Sequence, residues 1–83
     1  MKIVWDERKR RSNLEKHGLD FDDVFDFAWE TACIEPTHSG RMKAVGYLRN
    51  GVAVVVYAEL GTEAISIVSF RPANRKERSL LDG

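Results

Sequence analysis

Two hydrophobic rhythms divide the chain, one helical up to about residue 30 and one alternating from residue 31 onward. Residues 2–5 form a short strand that Asp6 ends, and its side-chain oxygen can cap the free N–H groups of a helix running to about His17. Gly18 stops that helix, because glycine takes up the left-handed conformation that commonly follows a helix end. Leu14 is nearly its only large apolar residue, whereas Lys9, Asn13 and His17 recur every four positions and share one face. This is not the pattern of an ordinary core helix. A second helix is expected from about Asp20 to Trp29, with Phe21, Val24, Phe25 and Ala28 at i, i+3, i+4 and i+7.

In the second rhythm, Leu48-Arg49-Asn50-Gly51-Val52 carries the Asn-Gly signature of a two-residue hairpin loop. That loop sets Tyr47 opposite Val54 and Val45 opposite Val56 on one face, with Leu48, Gly46, Ala44, Ala53, Val55 and Tyr57 on the other. A turn at Gly61-Thr62 then adds Ile65 and Ile67 to the first face, and Ser66, Val68 and Phe70 to the second. The first face is expected to be the core, covered by the two N-terminal helices. The second would leave Val55, Val68 and Phe70 in an apolar patch that another element or chain must cover. Pro72 ends the last strand and holds Arg71 extended. Asn74 and Glu77, three residues apart, make a capping-box pair for a short helix through about Leu81. The expected fold class is α+β: β-α-α, then an antiparallel meander of three or four strands, then a short C-terminal helix, in one domain spanning residues 1–83.

Composition adds limits. A domain of 83 residues buries a modest share of its surface, so a bound partner would matter to its stability. Thirteen Lys and Arg cancel thirteen Asp and Glu, so net charge gives no general attraction to nucleic acid or membranes. The distribution is uneven: Arg8 to Arg11 with Lys16 are basic, Asp20 to Asp26 acidic, and Arg71, Arg75, Lys76 and Arg78 basic again. An acidic second helix argues against direct DNA reading by a helix-turn-helix. Cys33 is the single cysteine and the two histidines are far apart, so no metal is expected. No apolar run approaches the roughly 20 residues of a membrane span, and no signal-peptide core follows Met1, so the expected location is the cytoplasm.

Several residues at fixed spacings carry a family likeness. Trp5-Asp6, Lys9, Asn13, Lys16-His17-Gly18 and Phe21, then Gly46, Val54 to Tyr57, Ile65, Ile67, Ser69, Arg71, Ala73 and Glu77-Arg78, resemble the pattern of BrnT-type toxins across almost the whole chain. The resemblance implies a fold like that of RelE-type ribonuclease toxins and cleavage of RNA without metal or cofactor. It also implies neutralisation by a cognate antitoxin that binds operator DNA, so that DNA is met only indirectly, and a possible dimer or heterotetramer with that antitoxin. The chain departs from the pattern in three places: the stretch between His38 and Arg41 is short, Phe70 stands where a small residue is usual, and no Tyr follows Arg78.

Metal-free RNA cleavage needs a base for the 2′-hydroxyl, cations for the charge building on the phosphate, and an acid for the leaving oxygen. Arginine suits the second task, since its planar fork binds phosphate oxygens in pairs. Arg71, Arg75 and His38 are the candidate catalytic set, with His38 in an accessible loop and an imidazole being the side chain suited to proton transfer near neutral pH. Lys9, Arg78, Tyr57 and His17 are candidate RNA-binding residues, although a helix-end histidine, a surface lysine and a strand tyrosine each have ordinary structural roles. Asn13 is expected to fasten the first helix to the sheet. The alternative reading is a protein-binding module of little or no activity, holding an antitoxin through the patch of Val55, Val68 and Phe70.

Overall fold

In the computed structural model, which describes residues 1–82, the strands are β1 (Lys2–Trp5), β2 (Cys33–Pro36), β3 (Met42–Leu48), β4 (Gly51–Leu60) and β5 (Ala64–Pro72). The α-helices are α1 (Glu7–His17) and α2 (Arg75–Asp82). The α+β class is as expected, but the sheet is mixed. Its order is β1-β5-β4-β3-β2, with β1 parallel to β5 and the remaining pairs antiparallel. The first strand therefore closes the outer side of the last one, and no helix among the described residues is long and apolar enough to cross a membrane.

Asp6 caps α1 as its position predicts, accepting from the N–H groups of Arg8 at 2.7 Å and Lys9 at 3.4 Å. Gly18 ends the helix at φ 74°. The second predicted helix is not an α-helix. Its residues form two 3₁₀ segments, Phe21–Asp26 and Trp29–Thr31, the first capped by Asp20. A 3₁₀ helix has three residues per turn, so its inward stripe is Phe21, Val24 and Phe27, all buried, while Phe25 is left 64% exposed.

The expected core face is also corrected. The principal core contains Ala44, Leu48, Ala53, Val55, Tyr57, Ile65, Ile67 and Phe70, roofed by Phe21, Val24 and Phe27. Val55 and Phe70 are fully buried, so the predicted partner-binding patch of Val55, Val68 and Phe70 does not exist as a surface; Val68 alone is half-buried. The roof of Phe21, Val24 and Phe27 covers this face instead of the other one, and the strand pairing differs from expectation at two places. The β3–β4 turn is Arg49-Asn50, with Leu48 opposite Gly51, and not Asn50-Gly51. Arg49 takes φ 54° and reaches Asp23 at 3.1 Å and Asp26 at 3.3 Å, a tertiary tie that turn propensity does not contain. That change leaves each strand's faces as predicted. The second feature does not: a bulge shifts the β4–β5 pairing from Val56–Ser69 to Tyr57–Ile67, turning Ile65 and Ile67 onto the same side as Phe70.

Gly46 lets the roof come down closely on the sheet, since a Cβ there would lie 2.6 Å from Cζ of Phe27. The opposite face of the sheet is occupied by α2. Lys43 and Arg71 lie on that face and meet Glu77 of the helix, near the fully buried Val45 and Val54.

Candidate functional site

β1 runs beside β5 only as far as the Trp5–Ile67 pair, and the border of β5 beyond that point has no strand partner. α1 fills this place through one side chain. The Nδ2 group of Asn13 donates to the carbonyls of Phe70 at 2.7 Å and Leu19 at 3.0 Å, while its Oδ1 accepts from the N–H of Phe70 at 3.1 Å and the hydroxyl of Ser69 at 3.4 Å. The buried amide thus pairs with the backbone of Phe70 as a neighbouring strand would, which is the fastening role its spacing predicts.

This docking turns the polar stripe of α1 toward β5. Lys9, Ser12, Asn13, Lys16 and His17 line a groove of about 250 Å³ whose other wall is Val68 and Ser69. Lys9 and Lys16 are exposed and His17 is half-buried, so two ammonium groups and an imidazole share one solvent-accessible trough. Arg71 follows Ser69 by two residues on the same face of β5. Its guanidinium is bound by Glu77, with Nη1 to Oε1 at 2.8 Å and Nη2 to Oε2 at 2.7 Å.

Glu77 is buried where the capping box puts it. Its Oε1 accepts from the N–H of Asn74 at 3.0 Å, and the side chain of Asn74 accepts from the N–H of Glu77 at 2.8 Å. Lys43 stands 3.4 Å from Oε2 and equally far from Glu35. The Arg71 guanidinium holds the Glu77 carboxyl down at about 2, against the cost of burial and with help from the Asn74 N–H and Lys43. In return Glu77 raises the pKa of Arg71, which stays charged.

The predicted catalytic trio does not assemble. His38 lies in the β2–β3 connection, beyond the Met42 end of β3, whereas Arg71 pairs with Val54 two strands away and further along the sheet. Strand spacing of about 4.8 Å and a rise of about 3.3 Å per residue set their Cα positions roughly 15 Å or more apart. The imidazole beside the β5 groove is that of His17. Arg75 and Arg78 are exposed on α2. Tyr57 is not a stacking platform: it is buried edge-on to Trp29 at 5.8 Å, and burial, then Glu59, pushes its phenol up. Sequence reading missed Ser12, Lys16 and Ser69 as groove residues, although their spacing on α1 and β5 carries the signal. Glu77 is marked in the sequence by the capping box and the family pattern, but nothing local links it to Arg71. A second cleft, about 310 Å³, lies on the core side among Ile3, Trp29, Ile34, Tyr57 and Ile65; it is apolar apart from Glu59 and far poorer in reactive groups.

A sequence profile described as "Ribonuclease toxin, BrnT, of type II toxin-antitoxin system" matches residues 5–77. Among solved structures, the ribonuclease toxin BrnT of Brucella abortus is similar, with a TM-score of 0.81 and 42% sequence identity over 90% of this chain and 99% of that one. No curated protein sequence matches significantly.

Proposed function

The chain belongs to the BrnT family of ribonuclease toxins of type II toxin–antitoxin systems, and from that membership we propose that it is a metal-independent endoribonuclease whose substrate backbone lies between α1 and β5. The observation that carries this reading is the groove in which Lys9, Lys16 and His17 face Ser69, with Arg71 next along the strand. These are the groups the chemistry requires. An imidazole takes the proton of the 2′-hydroxyl, and the new O2′–P bond forms as the bond from phosphorus to the 5′ oxygen breaks. Ammonium and guanidinium groups offset the charge that gathers on the phosphoryl oxygens, and one ammonium supplies the proton for the leaving oxygen. In this assignment His17 replaces His38, while Arg71 keeps the place the sequence gives it. Arg75 and Arg78, exposed on α2, serve as outer contacts for the RNA backbone.

An antitoxin protein is the natural partner of a toxin of this type. We infer that it blocks the same groove, that DNA is contacted only through it, and that the complex is a dimer or heterotetramer of RelE-like toxin subunits in the cytoplasm. The test is cleavage of an RNA mixture by purified, antitoxin-free protein in excess EDTA. Cleavage is expected to persist in EDTA, and to drop by at least 100-fold in Arg71→Ala and in His17→Ala, with His38→Ala unaffected. Intact RNA after incubation with the wild-type protein, or full activity of His17→Ala, refutes the assignment.

A further inference from the structure

The way Arg71 is held leaves one edge of its guanidinium uncommitted. Glu77 engages the end of the group, through Nη1 and Nη2, and Nη1 also approaches the Pro72 carbonyl at 3.4 Å. A guanidinium carries five N–H bonds. The end-on pair consumes one from each terminal nitrogen, so the Nε–H and the second N–H of Nη2 remain side by side along the other edge. Neither has a partner among the described residues, and the Arg71 side chain is 29% exposed while that of Glu77 is 8% exposed. Two parallel donors on one rigid plane are the geometry that takes two oxygens of a phosphate.

Glu77 itself has no freedom to turn. Each carboxylate oxygen has two donors: Arg71 Nη1 and the Asn74 N–H on Oε1, Arg71 Nη2 and the Lys43 ammonium on Oε2. These donors come from β5, from the start of α2 and from β3, so the carboxylate is fixed by three elements at once. We propose that Glu77 is a positioning residue that clamps the end of the Arg71 guanidinium and thereby presents its Nε–Nη2 edge, ready oriented, to the scissile phosphate of the RNA. This rests on the ribonuclease reading above and adds to it the residue that aligns Arg71. A pre-aligned donor pair acts chiefly on the transition state, because no side-chain freedom has to be lost as charge develops on the phosphate.

Binding and turnover should therefore part company. Purified full-length Glu77→Gln and wild type are compared in the rate of cleavage of a mixed-sequence oligoribonucleotide and in binding of its 2′-O-methyl counterpart, which cannot be cut. The variant is expected to lose at least tenfold in kcat while binding the uncut oligonucleotide as tightly as wild type or severalfold more tightly, since a negative charge has gone. Turnover within twofold of wild type overturns the proposal. So does a parallel loss of turnover and binding, the signature of general disruption. Arg71→Ala separates the two readings: if it cleaves normally, the groove assignment falls and the clamp with it, whereas an inactive Arg71→Ala beside an active Glu77→Gln removes the clamp alone. If Glu77→Gln fails to fold, ¹⁵N-labelled wild-type protein decides. Titration with the 2′-O-methyl oligonucleotide should move the Nε–H resonance of Arg71 more than that of Arg8, and an unmoved Arg71 resonance overturns the proposal.

Discussion

Asn13 is a buried amide whose two hydrogens and two acceptor sites are all engaged, chiefly by the backbone of Phe70. Truncating it would leave a buried N–H and a buried carbonyl without partners, at a cost of about 1–3 kcal/mol for an orphaned group. Asn13→Ala should thus lose about 2–4 kcal/mol in urea unfolding, and Asn13→Asp should be no better, since it deletes both donors. A loss below about 1 kcal/mol would show that α1 is held by something else. Gly46 is the complementary case, where an added atom does harm. Gly46→Ala drives a methyl group into Phe27 and should cost about 1–3 kcal/mol, with Phe27→Leu in the same chain recovering part of it in a thermal melt. Glu77 gives a pH dependence whose sign follows from its depressed pKa. The group ionises at about 2 in the folded chain against 4.5 in the free state. Its stabilisation is complete above about pH 4.5 and disappears as pH falls toward 2. Urea titrations from pH 6 to pH 2.5 should show a decline in wild type that is smaller in Glu77→Gln, and parallel curves would contradict the assignment.

Elements with a local signature were legible in the residues that form them. Asp6 and Gly18 bracket α1 as their chemistry requires, and the Asn74–Glu77 spacing marks the start of α2. The segment after Gly18 is ambiguous in sequence, since Phe21 and Val24 fit both a period of 3.6 and a period of three, and the two differ in whether Phe25 or Phe27 completes the stripe. Packing decides it, because Phe27 finds Gly46 beneath it and Phe70 at 6.3 Å, contacts far away in sequence. The 3₁₀ reading has a direct check: Phe27→Ser should cost about 3–5 kcal/mol, whereas Phe25→Ser should stay within about 0.5 kcal/mol. Equal effects would favour the α-helical stripe. The groove was half legible for the same reason. Lys9, Asn13 and His17 announce a polar face by spacing alone, but the strand that face meets is set by the β1–β5 pairing, and the Arg71–Glu77 contact by the path of α2.

At the scale of the whole molecule, a chain with no net charge brings Lys9, Lys16 and His17 together in one groove by the way α1 lies along β5. Binding to single-stranded RNA should accordingly weaken as salt rises, with a slope that falls by about 0.7 for each phosphate contact removed. Lys9→Ala and Lys16→Ala should each flatten that slope, while Lys2→Ala, outside the groove, should leave it unchanged. Slopes that are identical in all three variants would place the RNA elsewhere. The bulge in β5 bears on the same region. Ile67 and Phe70 face the core although three positions separate them, so the strand carries a surplus residue, Val68, which simple alternation between the faces would not need. Excising Val68 would restore an uninterrupted pleat with Ile67 and Phe70 still inward and Ser69 and Arg71 still outward. Inside-out order would survive the deletion, but the stagger between the strand and the lysines opposite it would not. Folding and cutting would then be separable by a single codon.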